Sequence, residues 1–412
     1  MAEFEKKEST FEWWFIAHFV FGVVYLGMIP ILVPTYIISI TNSAAEAGVV
    51  MAIIGLGALA APVIGGFADK YLAHRIAQLG GLVALSLGAL IFAFAKEDLV
   101  FAIAAIAVGI GVATLMMINP SLIVGAGFEQ DTESSKLTRL NQVAIVGQLT
   151  GGLLIAGLTQ AGLSFQARFL VVAVVPFVGF FIVAATNKTA TERLRRAAPV
   201  NKEETASEAK LTLGKILLTT FGLFLLAMAI NGLSQSVLES QYPNYMQRVF
   251  NISPALSATA LSVTAVVNLL VLGLAGSWMA RKGPNPVFMT SLLMRLAAAA
   301  ILIALALVGN VPAILPLAMY VILLVGIAWV DLAGPALAGR LSIAGIGATQ
   351  GLLMGSLALG AFFGALLGGW LAETVGFQIL PWITAIGVMI AIAFGYLAIR
   401  DKGGSNTTTS VP

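Results

Sequence analysis

Four ionisable side chains stand inside stretches that otherwise carry almost no charge: His18, Glu239, Arg295 and Asp331. Keeping a charge at the centre of an apolar span costs about 3 kcal/mol, so such residues are retained where they bind a proton, an ion or a polar solute. Asp331 is the first candidate for proton coupling, because the charge of a carboxyl responds to the opening and closing of the space around it. Glu239 is the second. It precedes Ser240-Gln241-Tyr242-Pro243-Asn244, which reads as an outer loop. His18 is the third, since an unperturbed imidazole titrates near neutrality; its setting among Phe15, Phe19 and Phe21 equally suits a hydrogen-bonded packing residue. Arg295 reads as a long side chain that snorkels to the headgroups.

The elements that must position these groups are runs of about twenty apolar residues, each long enough to cross a bilayer. They fall at 11–38, 47–67, 76–95, 99–124, 140–162 and 167–186, and again at 215–238, 255–279, 286–308, 312–336, 348–372 and 378–399. That is about twelve transmembrane helices. The chain of 412 residues is 59% hydrophobic and only 10% charged, with mean hydropathy +0.98. Soluble domains are about 25% charged, so this composition describes an all-α polytopic membrane protein. The expected organisation is a cytoplasmic N-terminus (1–10), six spans (11–186), a hydrophilic linker (187–214) with a short surface helix at 191–197, six more spans (215–399) and a cytoplasmic tail (400–412).

Charge sets the orientation. With both ends in the cytoplasm, the outer loops hold only Lys96, Arg168 and Arg248 of the 22 basic residues, as the positive-inside rule requires. Such a chain sits in the plasma membrane, the inner membrane of a bacterium. The net charge of +3 is therefore a sidedness signal and does not point to nucleic acid. The absence of cysteine excludes disulfides, thiolate metal sites and cysteine nucleophiles. With two histidines, no His-Glu-x-x-His, no Gly-x-Ser-x-Gly and no Walker lysine loop, the sequence carries no recognised catalytic constellation, and no cofactor is implied.

Internal repetition organises the spans. Between the second and third lies Gly65-Gly66-Phe67-Ala68-Asp69-Lys70-Tyr71-Leu72-Ala73-His74-Arg75, and between the eighth and ninth Gly276-Ser277-Trp278-Met279-Ala280-Arg281-Lys282-Gly283. The fifth span reads Gly147-Gln148-Leu149-Thr150-Gly151-Gly152 and the eleventh Gly364-Ala365-Leu366-Leu367-Gly368-Gly369. Phe165-Gln166 and Phe377-Gln378 close these two spans, and Asn119-Pro120 answers Gly334-Pro335. The chain reads as two copies of one six-span unit.

On these residues the chain resembles the major facilitator superfamily of transporters from Phe11 to Arg400. Gly65, Asp69 and Lys70 match the family's loop signature, with Leu72 where a glycine is usual, Arg75 in a shortened basic cluster, and Arg281 and Gly283 in the second copy. The resemblance implies two pseudo-symmetric six-helix bundles that rock about a cavity lined by spans one, four, seven and ten. It makes the Asp69 loop a conformational latch, with Asp69 capping the eleventh span near Gly347 when the cytoplasmic side closes. It places Tyr25, Tyr36, Asn119, Asn231, Ser234, Gln235, Tyr320 and Trp329 in the substrate cavity and leaves Arg295 on a peripheral helix. Pro30, Pro34 and Asn231-Gly232 mark places where a helix can unwind. The glycines at 147, 151, 152, 364, 368 and 369 resemble the family's antiporter packing motif, with Gln148 in place of its proline.

The function expected is secondary active transport of a small neutral, amphipathic or cationic solute, coupled to protons or to sodium, with efflux by exchange ahead of uptake by symport. A lipid or lysolipid flippase of the same fold is the further alternative. Partners are then the solute, the coupling ion and membrane lipids, with the protein acting as a monomer.

Overall fold

A computed structural model describes residues 11–201, 218–342 and 346–405; the expected N-terminal segment 1–10, linker residues 202–217 and tail residues 406–412 lie outside them. The described chain runs through α1 (Trp13–Thr41), α2 (Ala44–Tyr71), α3 (His74–Phe94), α4 (Asp98–Val124), α5 (Gln130–Gln160) and α6 (Phe165–Thr186). A linker helix α7 (Lys188–Asn201) follows, longer than the surface helix expected. Then come α8 (Thr220–Glu239), a short α9 (Tyr242–Phe250), α10 (Pro254–Lys282), α11 (Pro284–Val308), α12 (Ile314–Leu341), α13 (Ile346–Thr374) and α14 (Leu380–Ser405). Among the described residues eleven helices are long and apolar enough to cross a membrane, and α2, at 28 residues, completes the twelve long helices.

Local chemistry sets the boundaries. Ser43, Ser164, Thr219 and Ser253 each accept a hydrogen bond from the third backbone amide that follows, capping α2, α6, α8 and α10. Asn42 and Asn251 take left-handed backbone conformations that end α1 and α9. Leu72 also sits in that region, with φ of 51°, at the position where the family's glycine is usual. Within α1 the backbone widens into a π-helical stretch at Gly22–Met28. Pro30 comes two residues after its end and lacks the amide that would close an ordinary turn, so the expected unwinding takes the form of a wider turn. Asn231-Gly232 does not unwind: α8 is continuous, and Gly232 lets it lie against the backbone of Leu357.

Packing repeats between the halves. In the first, α1 lies on α5, α2 on α4, and α3 on both α4 and α6; in the second, α8 lies on α13, α10 on α12, and α11 on both α12 and α14. The glycine pairs show why. A methyl at Gly151 would run into the backbone of Val23, and one at Gly368 into that of Val237, so each allows close approach within its own bundle. Their neighbours face the other bundle: Gly152 meets Ala258 and Ser262 of α10, and Gly369 meets Ala44 and Gly48 of α2.

These contacts between bundles gather at the end far from the chain termini. There Ser262 Oγ donates to Leu149 O at 3.3 Å, Gln241 Nε2 donates to Ala44 O at 2.9 Å, and Glu373 accepts from Ser43 Oγ at 2.5 Å and Ala45 N at 2.9 Å. At the terminus-bearing end Asp69 is 70% exposed.

Candidate functional site

The second half buries a charged cluster around Arg295. Arg295 projects from α11 into the bundle and is 1% exposed, which overturns the expectation of a peripheral, snorkelling side chain. Gly326 of α12 leaves room for its stem, since any side chain there would meet Arg295 Cγ. One edge of the guanidinium donates to neutral acceptors on α8: NH1 to Asn231 Oδ1, and NH2 to Ser234 Oγ at 3.3 Å. Its Nε is buried without a partner. Its counter-charges act from further away, namely Asp331 on α12 and Glu239 on α8. Gln235 Nε2 donates to Glu239 Oε2 at 3.0 Å, one turn along the same helix.

Gln235, Glu239, Arg295, Tyr320 and Thr384 line a narrow recess together with Leu238 and with Leu323 and Leu324 of α12. Thr384 Oγ1 is likewise buried without a partner. Asp331 is exposed and within electrostatic reach of Glu239 and Arg295. The charge of Glu239 also acts on Tyr25 of α1. Tyr25 belongs to the first half, so the electrostatic reach of Glu239 crosses between the halves. Two negative groups and one positive group give the cluster one net negative charge when all are ionised.

The outer loop expected after Glu239 is instead the helix α9, whose Tyr242, Asn244 and Tyr245 are buried. Tyr242 stacks on Tyr320 with ring centroids 3.6 Å apart and donates to Ser257 O at 3.0 Å. This places a double aromatic layer beside the recess.

The first half holds a neutral relay. Asn187 Nδ2 donates to Gln78 Oε1 at 3.0 Å, Gln78 Nε2 to Asn119 Oδ1 at 2.8 Å, and Asn119 Nδ2 to His18 Nδ1 at 3.1 Å. All four side chains are buried, and His18 stacks on Phe21 with ring centroids 5.2 Å apart. With Nδ1 accepting, a neutral imidazole carries its proton on Nε2.

Of the expected cavity residues, Tyr25, Asn231, Ser234, Gln235 and Tyr320 thus gather at or beside the charged cluster, whereas Asn119 belongs to the relay with His18. Tyr36 is elsewhere: it packs on Phe101, Phe165 and Phe169 inside the first bundle and donates to Ala95 O at 2.5 Å. Trp329 packs edge-on against Trp278. Asp69 pairs with His74 Nε2 at 2.9 Å, Arg75 donates to Ala184 O at 2.8 Å, and Lys70 and Arg281 are exposed. Gly65 lies over Met117, and Gly283 adopts φ of 79° beside Arg340. The side chains around the start of α13, where Asp69 was expected to cap, lie outside the described residues.

Sequence reasoning missed Arg295 as a site residue, and with it Gln78, Asn187, Thr384 and Tyr242. Gly326 opposite Arg295 and a lone glutamine in the third span were the available signals.

The sequence profile of the Major Facilitator Superfamily matches residues 14–330 and 224–410. A search of curated proteins returned no match. Among solved structures, the nucleoside transporter NupG is 13% identical, with a TM-score of 0.69 over 94% of this chain and 98% of that one. A mutant of the peptide transporter POT in complex with alafosfalin is 16% identical, with a TM-score of 0.74 over 94% of each chain. A D-xylose-proton symporter is 15% identical, with a TM-score of 0.70 over 93% of this chain and 96% of that one. At these identities the likeness is one of fold.

Proposed function

The chain belongs to the major facilitator superfamily, and on that premise we propose that it moves a small neutral, amphipathic or cationic solute across the plasma membrane by proton-coupled alternating access, with both termini cytoplasmic. The observation that carries this reading is the Arg295, Glu239 and Asp331 cluster, with its one surplus negative charge. One proton or one cationic group neutralises it. Two occupants that satisfy the same charge compete, and competition across alternating states couples the flow of one to the flow of the other. Exchange of solute for protons follows, with Asp331 and Glu239 as the groups that load and unload. His18, held by Asn119, is a positioning residue of the first bundle in this reading.

The structural likeness to a D-xylose-proton symporter supports proton coupling and keeps symport as the alternative direction. The charged cluster speaks against a lipid flippase, whose path would be lined by apolar side chains.

The test is pH-gradient-driven flux in proteoliposomes, comparing wild type with Asp331→Asn across neutral and cationic solutes. Flux that follows the gradient in the wild type and falls at least tenfold in the variant is expected. Flux indifferent to both the gradient and the substitution would make Asp331 structural and the protein a uniporter or a sodium-coupled carrier.

A further inference from the structure

Arg295 poses a specific question of chemistry. A buried guanidinium is normally matched by a carboxylate on its fork, yet among the described residues no ion pair reaches it. NH1 and NH2 donate instead to the neutral oxygens of Asn231 and Ser234, and Nε has no partner. Thr384 Oγ1, on the same recess and 1% exposed, also lacks a partner. Buried polar groups are nearly always satisfied, so two orphans on one recess mark a missing occupant. Across the recess stands Glu239, half-buried and bonded on one oxygen by Gln235.

We propose that the recess recognises a small organic cation bearing a carbonyl oxygen, its ammonium at Glu239 and its amide or ester carbonyl accepting from Arg295 Nε and Thr384 Oγ1. This rests on the transporter reading above and narrows it. The carbonyl is neutral, so the cation alone cancels the surplus negative charge of the cluster, whereas a zwitterion would leave that surplus in place. Leucine side chains on the far wall, Leu238, Leu323 and Leu324, accept an apolar substituent. The recess is narrow, so it takes the carbonyl end of the solute.

The experiment uses purified full-length protein and compounds that change one group at a time: leucinamide, leucine, N-acetyl-leucinamide and 3-methylbutylamine, with the alanine series beside them. Binding is read without a gradient, as ligand-induced shift of the thermal midpoint and by calorimetry. Leucinamide or alaninamide is expected to bind at least tenfold more tightly than the compound lacking its ammonium, the compound lacking its carbonyl, or the free acid. Thr384→Val should erase the advantage over the simple amine, and Glu239→Gln the advantage over the N-acetyl compound, even if Arg295 variants fail to fold. Equal binding of leucine or 3-methylbutylamine, or no binding of either amide, overturns the proposal. Proton-driven flux of a simple amine in the same preparation would then leave the transporter reading standing, whereas loss of all gradient-driven flux would remove that reading itself.

Discussion

Gln78 bonds two other buried side chains, Asn119 of α4 and Asn187 at the junction of α6 and α7, and reaches His18 of α1 through Asn119, so its carbonyl and amide ends are both used. Replacing it by leucine keeps its volume but strands Asn119 and Asn187, of which Asn187 already has one unpartnered oxygen. Each stranded group costs about 1–3 kcal/mol. Gln78→Leu is therefore expected to lower the thermal midpoint of the purified protein markedly, and Gln78→Leu with Asn119→Leu should be less damaging than the two single effects added together. Additive effects would mean that the relay is not a unit. At this scale the sequence was only half legible. His18 and Glu239 stood out as ionisable groups in apolar stretches, and Asn119, Asn231, Ser234 and Gln235 were placed only through the family resemblance. Arg295 was misplaced because span-level reasoning assigns a residue to a helix but does not say which way it faces, and the direction is set by the glycine opposite it at 326. Gln78 and Asn187 find each other only through folding, across two different helices.

The linker helix α7 buries Ala190 and Leu194 against the first bundle, and a charged cluster holds its polar face. Glu12, just before α1, accepts from Lys136 Nζ of α5 at 2.7 Å and from Arg193 NH1 of α7 at 2.9 Å, while Trp14 Nε1 donates to its other oxygen at 3.0 Å. Both cations also lie over the ring of Phe128. Burial opposes the ionisation of Glu12 and is the largest single influence, but the bonds and charges of Lys136 and Arg193 together outweigh it and hold its pKa below 4.5. A depressed carboxyl contributes stability that is fully present above the unfolded value and is lost as pH falls through the folded one. Acidification from about pH 6 toward pH 3 is thus expected to lower the thermal midpoint of the wild type more than that of Glu12→Gln, which should start lower and respond less. Parallel curves would show that Glu12 does not anchor α7. From sequence this segment read as a solvated linker with a short helix; its acidic anchor lies more than a hundred residues upstream, beyond any local pattern.

For the whole molecule, duplication was the most legible feature, because the glycine pairs at 151–152 and 368–369 are fixed by the same two demands in each half: one glycine for the helix beside it, one for the opposite bundle. Which way the assembled transporter opens was not legible, since both states use the same helices. In this structure the bundles meet at the end far from the termini, and the carboxylate that joins them there is Glu373, at the N-terminus of α2. A carboxylate at a helix N-terminus is favoured by the helix dipole and the free amides. By the family resemblance Asp69 would do the corresponding work at the other end, where it bonds to His74. Ala280 at the matching position of the second half cannot form such a latch, so each end would rely on one carboxylate of its own. Because Glu373 is exposed, its latch is weak, and Glu373→Gln is expected to change the ratio of states only a few-fold. The absence of native cysteine makes the measurement direct. Spin labels at Gln160→Cys and Gln247→Cys report the far end, and labels at Tyr71→Cys and Lys282→Cys the terminus-bearing end. Glu373→Gln should enlarge the long-distance population of the first pair and the short-distance population of the second. Asp69→Asn should act in the opposite sense, deepening the state seen here. If neither substitution moves either distribution, the carboxylates at the helix ends are solvated surface charges, and closure rests on the glycine contacts alone.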